Sequence, residues 1–132
     1  MRVQIEQVKE RRFRLSARGV ETVVDDTIEN GGPGDGFRPT ELLLGALASC
    51  MAGTMLNFAR NQEIPISGIT VVVEDHVVSS PTRIAVIDVR MTVEGEIDER
   101  QTASLRRVAA ACKIHNTLLS TPEIDLRFEV RR

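Results

Sequence analysis

The chain has 132 residues, 42% hydrophobic and 27% charged, with a formal net charge of -2. This is the length of one domain, residues 1–132, around one core. Aromatic content is 3%, all of it Phe, and the basic residues are scattered, with local pairs at Arg11-Arg12, Arg106-Arg107 and Arg131-Arg132 separated by acidic residues. Bases would find little to stack on and phosphates no track to follow, so nucleic acid is excluded as a partner. No run reaches the roughly 18 consecutive apolar residues of a membrane span, and the opening MRVQIEQVKE alternates instead of forming a signal-peptide core. The expectation is a cytoplasmic protein with no membrane partner.

In chain order, Val3 and Ile5, then Phe13 and Leu15, then the run VETVV predict three strands, with Gly19 as a turn residue. The segment ENGGPGDGF, residues 29–37, carries four glycines and a proline and can hold neither helix nor ladder. It reads as an exposed functional loop or a linker. Pro39 suits a first helical position and Glu41 complements the positive end of the dipole, so a helix is predicted from Pro39 to about Gln62. Its interior, LLLGALASCMAGTMLNFA, is apolar or small on almost every side, which predicts a helix surrounded by protein.

After Pro65, GITVVVEDHVV and RIAVIDVRMTV alternate with period two around SSPT, predicting a long hairpin. Asp98 followed by Gln101 is a capping box that starts a second helix carrying Leu105, Val108, Ala109 and, near its end, Cys112. Ile124, Leu126, Phe128 and Val130 alternate as a final strand. Strands grouped in this way point to an α+β fold with a mostly antiparallel sheet. So small a chain cannot cover a helix apolar on all sides, and an intertwined dimer would solve that burial problem.

Cys50 and Cys112 are the only cysteines, 62 positions apart. In a reducing compartment such a pair reads as reduced, catalytic or redox-active before it reads as a permanent staple. If the fold keeps them apart they are two small core hydrophobes. A thiol among apolar neighbours has its pKa raised and is inert unless a cation reaches it; Arg18 and Arg38 are the candidates for Cys50. Cys112-Lys113-Ile114-His115 offers a CxxH spacing, but His76 lies on a predicted strand and no second close-spaced pair exists. Neither a metal site nor a cofactor is predicted. His115 reads as a helix-end cap or a solvated side chain.

The segment PTELLLGALASC, Pro39 to Cys50, behind a Gly-rich approach, and ACKIHNTL, Ala111 to Leu118, resemble the two cysteine motifs of the osmotically inducible protein C and organic hydroperoxide resistance family (OsmC/Ohr). Order and spacing agree over essentially the whole chain. The resemblance implies an OsmC-like fold, with antiparallel sheets wrapped around a long central helix in an intertwined homodimer. It also implies a thiol peroxidase acting on organic hydroperoxides and recycled by an external dithiol, with Cys50 peroxidatic and Cys112 resolving. The apolar surface around Leu43, Leu47 and Met51 suits an alkyl or fatty acyl peroxide.

The chain departs from the family's pattern at three places. Thr40 stands where the catalytic Glu of the family follows Pro, and Glu41 comes one residue later, roughly 100° round the helix. Arg18, in the hairpin turn, is the closer topological match to the family's arginine, with Arg38 in reserve. Lys113 stands where Pro often follows the second cysteine. The peroxidase reading is therefore set beside two others: a non-catalytic binding module for a small apolar ligand, and a thiol redox sensor.

Overall fold

Alternation of apolar and polar side chains folds the N-terminus into an antiparallel meander of β1 (Gln4–Lys9), β2 (Arg12–Ala17) and β3 (Val20–Val24). The structure, a computed structural model, describes residues 1–132, which divide into two compact units, 1–46 and 47–132. The β2–β3 turn is Arg18-Gly19, with φ of 54° and 79°. Two successive left-handed residues match the twist of a tight hairpin, and glycine takes the second without strain.

The Gly-rich stretch is no linker. A 3-10 turn at Ile28–Asn30 starts it, and the chain then folds back on β3, with Phe37 N donating to Val23 O and Asp25 N donating to Phe37 O, both at 3.0 Å. Arg12 clips Asp35 from the side through a 2.6 Å contact. A Cβ at Gly32 would lie 2.1 Å from the Asp26 carbonyl oxygen, so only glycine permits this path. Three residues of this unit are buried: Val24, Asp25 and Asp26.

Helix α1 (Pro39–Asn61) starts in the first unit and ends in the second. The sequence predicts a helix surrounded by protein, yet only Leu47, Met55 and Ala59 are buried along it, and a Cβ at Gly45 or Gly53 would meet nothing within 4 Å. One copy of the chain does not supply enough surface to cover it. By length and composition α1 could also cross a membrane, a property it shares with core helices of folded domains.

In the second unit, β4 (Ile66–Val78) and β5 (Arg83–Gly95) form the predicted hairpin. Ile69, Val71 and Val73 face the same side as Ile87, Val89, Met91 and Val93, while Thr70, Glu74 and Arg90 face water. The register slips between His76 and Val77, which leaves Ala85 exposed and off the face its spacing predicts. The core here is Met55, Ala59, Ile64, Leu105 and Ala109.

The capping box forms as predicted: Asp98 accepts from Gln101 N at 2.7 Å, and Gln101 Oε1 accepts from Asp98 N at 3.1 Å. The helix it starts, α2 (Glu99–Ala109), ends earlier than its pattern suggests. The backbone turns at Ala110 and Ala111, and a separate helix, α3 (Lys113–Leu119), follows with Cys112 as its N-cap. The predicted final strand is absent: residues 121–132 form no ladder, and Ile124, Leu126 and Phe128 are each more than 80% exposed. Alternation becomes a strand only when the segment pairs with an edge, and in one copy of the chain the tail pairs with none although β4 and β5 each leave an edge open. The architecture is α+β, with two antiparallel sheets and three helices.

Candidate active site

The break between α2 and α3 builds the site. Cys112 is buried, 1% exposed, and its sulfur accepts from His115 N at 3.3 Å, so the second cysteine caps a helix instead of riding inside one. The first residues of α3 thereby direct free backbone N–H groups outward, and Cys50 of α1 occupies the place they point to.

The Ile114 N–H bonds to the Cys50 sulfur, and this contact is the main reason the Cys50 thiol sits below its ordinary pKa. The Cys112 thiol, the Lys113 N–H and the Thr54 hydroxyl act in the same direction, while partial burial opposes them. Hydrogen bonds to a sulfur are worth more when it is an anion, so donors of this kind favour the thiolate. Cys112 is the opposite case: burial pushes its thiol up, and the neighbouring Cys50 sulfur adds to that, against the His115 N–H. Each sulfur shifts the other's ionisation, and both are free thiols. One is disposed to ionise and the other to stay protonated, which is the polarity a nucleophile and a resolving thiol need.

The other predicted residues, Arg18, Arg38 and Glu41, lie in the first unit. Arg18 is exposed at the tip of the β2–β3 turn, and no ion pair holds it. Arg38 precedes α1 and its Nε donates to Asp26 Oδ1 at 3.0 Å. Glu41 does not hold that guanidinium. Its carboxylate accepts from the Arg38 backbone N–H at 2.7 Å, half of a capping box, so the one-residue displacement has made it a helix cap.

Asp26 holds Arg38 instead, and nothing in the sequence marks it for that role. It is 8% exposed and also accepts from Thr27 N at 2.8 Å and Asn30 Nδ2 at 3.1 Å. Asn30 first, then the Thr27 N–H, Arg38 and Arg11, keep its carboxyl below the usual range. Also missed were Thr54 and the Ile114 N–H. Thr54 was legible, since it stands one helical turn after Cys50; the Ile114 N–H was not, because it exists only once α3 separates from α2. His115 is neither a helix-end cap nor a solvated side chain: it lies in the first turn of α3, half-buried, with Nδ1 unpartnered. His76 pairs with Asp88 across the hairpin at 2.8 Å.

The family model described as OsmC-like protein matches residues 32–127. No curated protein is significantly similar in sequence. Among solved structures, a protein of Psychrobacter arcticus 273-4 assigned to osmotic stress induction and detoxification response is 26% identical, with a TM-score of 0.80 over 87% of this chain and 85% of that one. The OsmC-like protein of Mycoplasma pneumoniae is 18% identical, with a TM-score of 0.80 over 91% of this chain and 87% of that one. An organic hydroperoxide resistance protein of Elizabethkingia anophelis is 14% identical, with a TM-score of 0.69 over 92% and 90%. A family match spanning well over half of the chain, both cysteine motifs and a shared fold leave one assignment: the chain belongs to the OsmC/Ohr family of OsmC-like proteins.

Proposed function

We propose that this protein is a thiol peroxidase that reduces organic hydroperoxides, with Cys50 as nucleophile and Cys112 as resolving thiol. One arrangement carries the reading: the Cys50 sulfur faces the N–H groups that open α3 and has Cys112 as its neighbour, which lowers the Cys50 thiol pKa while burial raises that of Cys112. The likeness in fold to an organic hydroperoxide resistance protein supports it.

In the proposed cycle the Cys50 thiolate attacks the distal peroxide oxygen. The O–O bond breaks, the alkoxide takes a proton and leaves as alcohol, and Cys50 becomes a sulfenic acid. The Cys112 sulfur then attacks the Cys50 sulfur, an S–S bond forms and water departs. An external dithiol reduces the disulfide and supplies the two electrons that the peroxide consumed. The reaction also calls for a guanidinium to hold the peroxide, a role assigned to Arg18 or Arg38, and Glu41 serves by fixing the start of α1.

The reading extends to a single domain over 1–132, a cytoplasmic setting and an intertwined homodimer. The exposed apolar tail and the uncovered flank of α1 support the dimer, since a second copy supplies both a strand edge and a helix face. The experiment is consumption of cumene hydroperoxide with dithiothreitol: wild type turns over and Cys50→Ser does not. A second reading, a binding module without turnover, is favoured by Thr40 at the position of the family's Glu and by the use of Glu41 as a cap. It predicts no consumption by either protein.

A further inference from the structure

The second unit holds a cavity of about 500 Å3 that neither cysteine lines. Its wall is apolar: Met51 and Met55 come from α1, Val89 and Met91 from β5, with Leu105 behind them. Three thioethers in one wall make an adaptable surface, because methionine is unbranched, has three rotatable bonds and fits chains of varied shape. The size lies within the 300–1,000 Å3 typical of small-molecule sites. Cys50 is not among the lining residues, and helical geometry turns its side chain about 100° away from that of Met51, so this is a space separate from the sulfur pair.

One charged residue lines the cavity, Arg106 of α2. It is exposed and has no carboxylate or hydrogen-bond acceptor for its guanidinium. Other arginines of this surface are equally free, which is ordinary; Arg106 differs in standing at the edge of an apolar space. The only other polar side chain there, Thr102, gives its hydroxyl proton to the Asp98 carbonyl at 2.8 Å and so offers lone pairs but no donor. An uncharged tail satisfies the wall and leaves Arg106 unused, and a cation is repelled. An amphipathic anion satisfies both.

We propose that this cavity binds a single-tailed amphipathic monoanion, its aliphatic chain among Met51, Met55 and Met91 and its carboxylate paired bidentately with Arg106. The proposal rests on the cavity and not on the peroxidase reading, and its test reads binding alone.

The test uses the whole chain with carbon-13-labelled methionine methyls, titrated with dodecanoate below its micellar range and, separately, with dodecanol. Four methyls report, because the chain has four methionines, and Met1, fully exposed, is the internal control. The expected result is saturable movement of the Met51, Met55 and Met91 signals with Met1 unmoved, and binding weakened roughly tenfold or more in Arg106→Gln, the loss expected for a charge-assisted pair. Arg106→Lys should recover part of it, and Cys50→Ser should bind as wild type does. Equal affinity for dodecanol, indifference to Arg106→Gln, movement of Met1 with the others, or no saturable movement because a second copy closes the cavity would each overturn the proposal.

Discussion

Replacing Cys112 tests the claim that one residue both caps α3 and serves the sulfur pair. Cys112→Ala removes the acceptor of the 3.3 Å bond from His115 N and leaves a hole where a side chain 1% exposed had been. Loss of a cap costs about 1 kcal/mol, less for a sulfur acceptor, and loss of one buried heavy atom about another 0.8 kcal/mol. The sum is about 1.5 kcal/mol. Cys112→Ser keeps an acceptor and supplies a better capping oxygen, so it should lose about 0.5 kcal/mol, chiefly through weaker packing. For a chain of this size the difference of about 1 kcal/mol separates the two melting temperatures by roughly 3–5 °C. Thermal unfolding of the reduced proteins measures it. The alanine variant also takes a donor from Cys50, so the pH midpoint of Cys50 alkylation should rise in Cys112→Ala and stay nearer wild type in Cys112→Ser. Equal melting of the two variants, or an alanine protein more stable than the serine one, would refute the cap.

Four further predictions follow, two from the sulfur pair, one from Asp26 and one from the tail. Iodoacetamide at neutral pH should modify Cys50 well before Cys112, with a midpoint below that of the same thiol in the unfolded chain, and Thr54→Val should raise that midpoint. Because Cys50 is more acidic folded than unfolded, its ionisation contributes stability that is full above the unfolded pKa and is lost as pH falls through the folded one. The stability gap between wild type and Cys50→Ser should therefore widen from neutral to alkaline pH; a gap independent of pH would show that the Ile114 N–H is not acting on the sulfur. Asp26 obeys the same sign at acid pH, since its folded pKa is also depressed: its contribution is present above about 3.9, the usual carboxylate value, and lost below, so Asp26→Asn should flatten the acid limb of the stability curve. Leu126→Asp with Phe128→Asp should lower the mass measured by light scattering from two chains to one, and an unchanged mass would remove the tail from the dimer contact.

What the sequence disclosed and what it withheld divide by the range of the interaction. Arg18-Gly19 and the Asp98–Gln101 box were legible because a turn or a cap is decided within four residues. The hairpin and α1 were legible because their periodicity extends over many residues. The end of α2 was not, because Ala110, Ala111 and Cys112 are compatible with continuing the helix, and no Gly or Pro marks the break. The role of Glu41 turned on a single step round a helix, which sequence could pose as a question and only the hydrogen bond to Arg38 could answer. Asp26 lacked any signal, as its partner lies twelve residues on, across a loop that had to fold back first. The tail alternates as a strand does, but alternation does not say which edge, in this copy or in another, the segment pairs with.

The central claim is that Cys50 and Cys112 form a working couple in which Cys50 attacks. Reduced protein treated with one equivalent of cumene hydroperoxide and analysed by intact mass and peptide mapping tests it most directly. The account predicts loss of two hydrogens, a Cys50–Cys112 disulfide, one equivalent of cumyl alcohol, and a trapped Cys50 sulfenic acid when Cys112 is replaced by serine. Unreacted thiols, or oxidation that persists in Cys50→Ser, would contradict it.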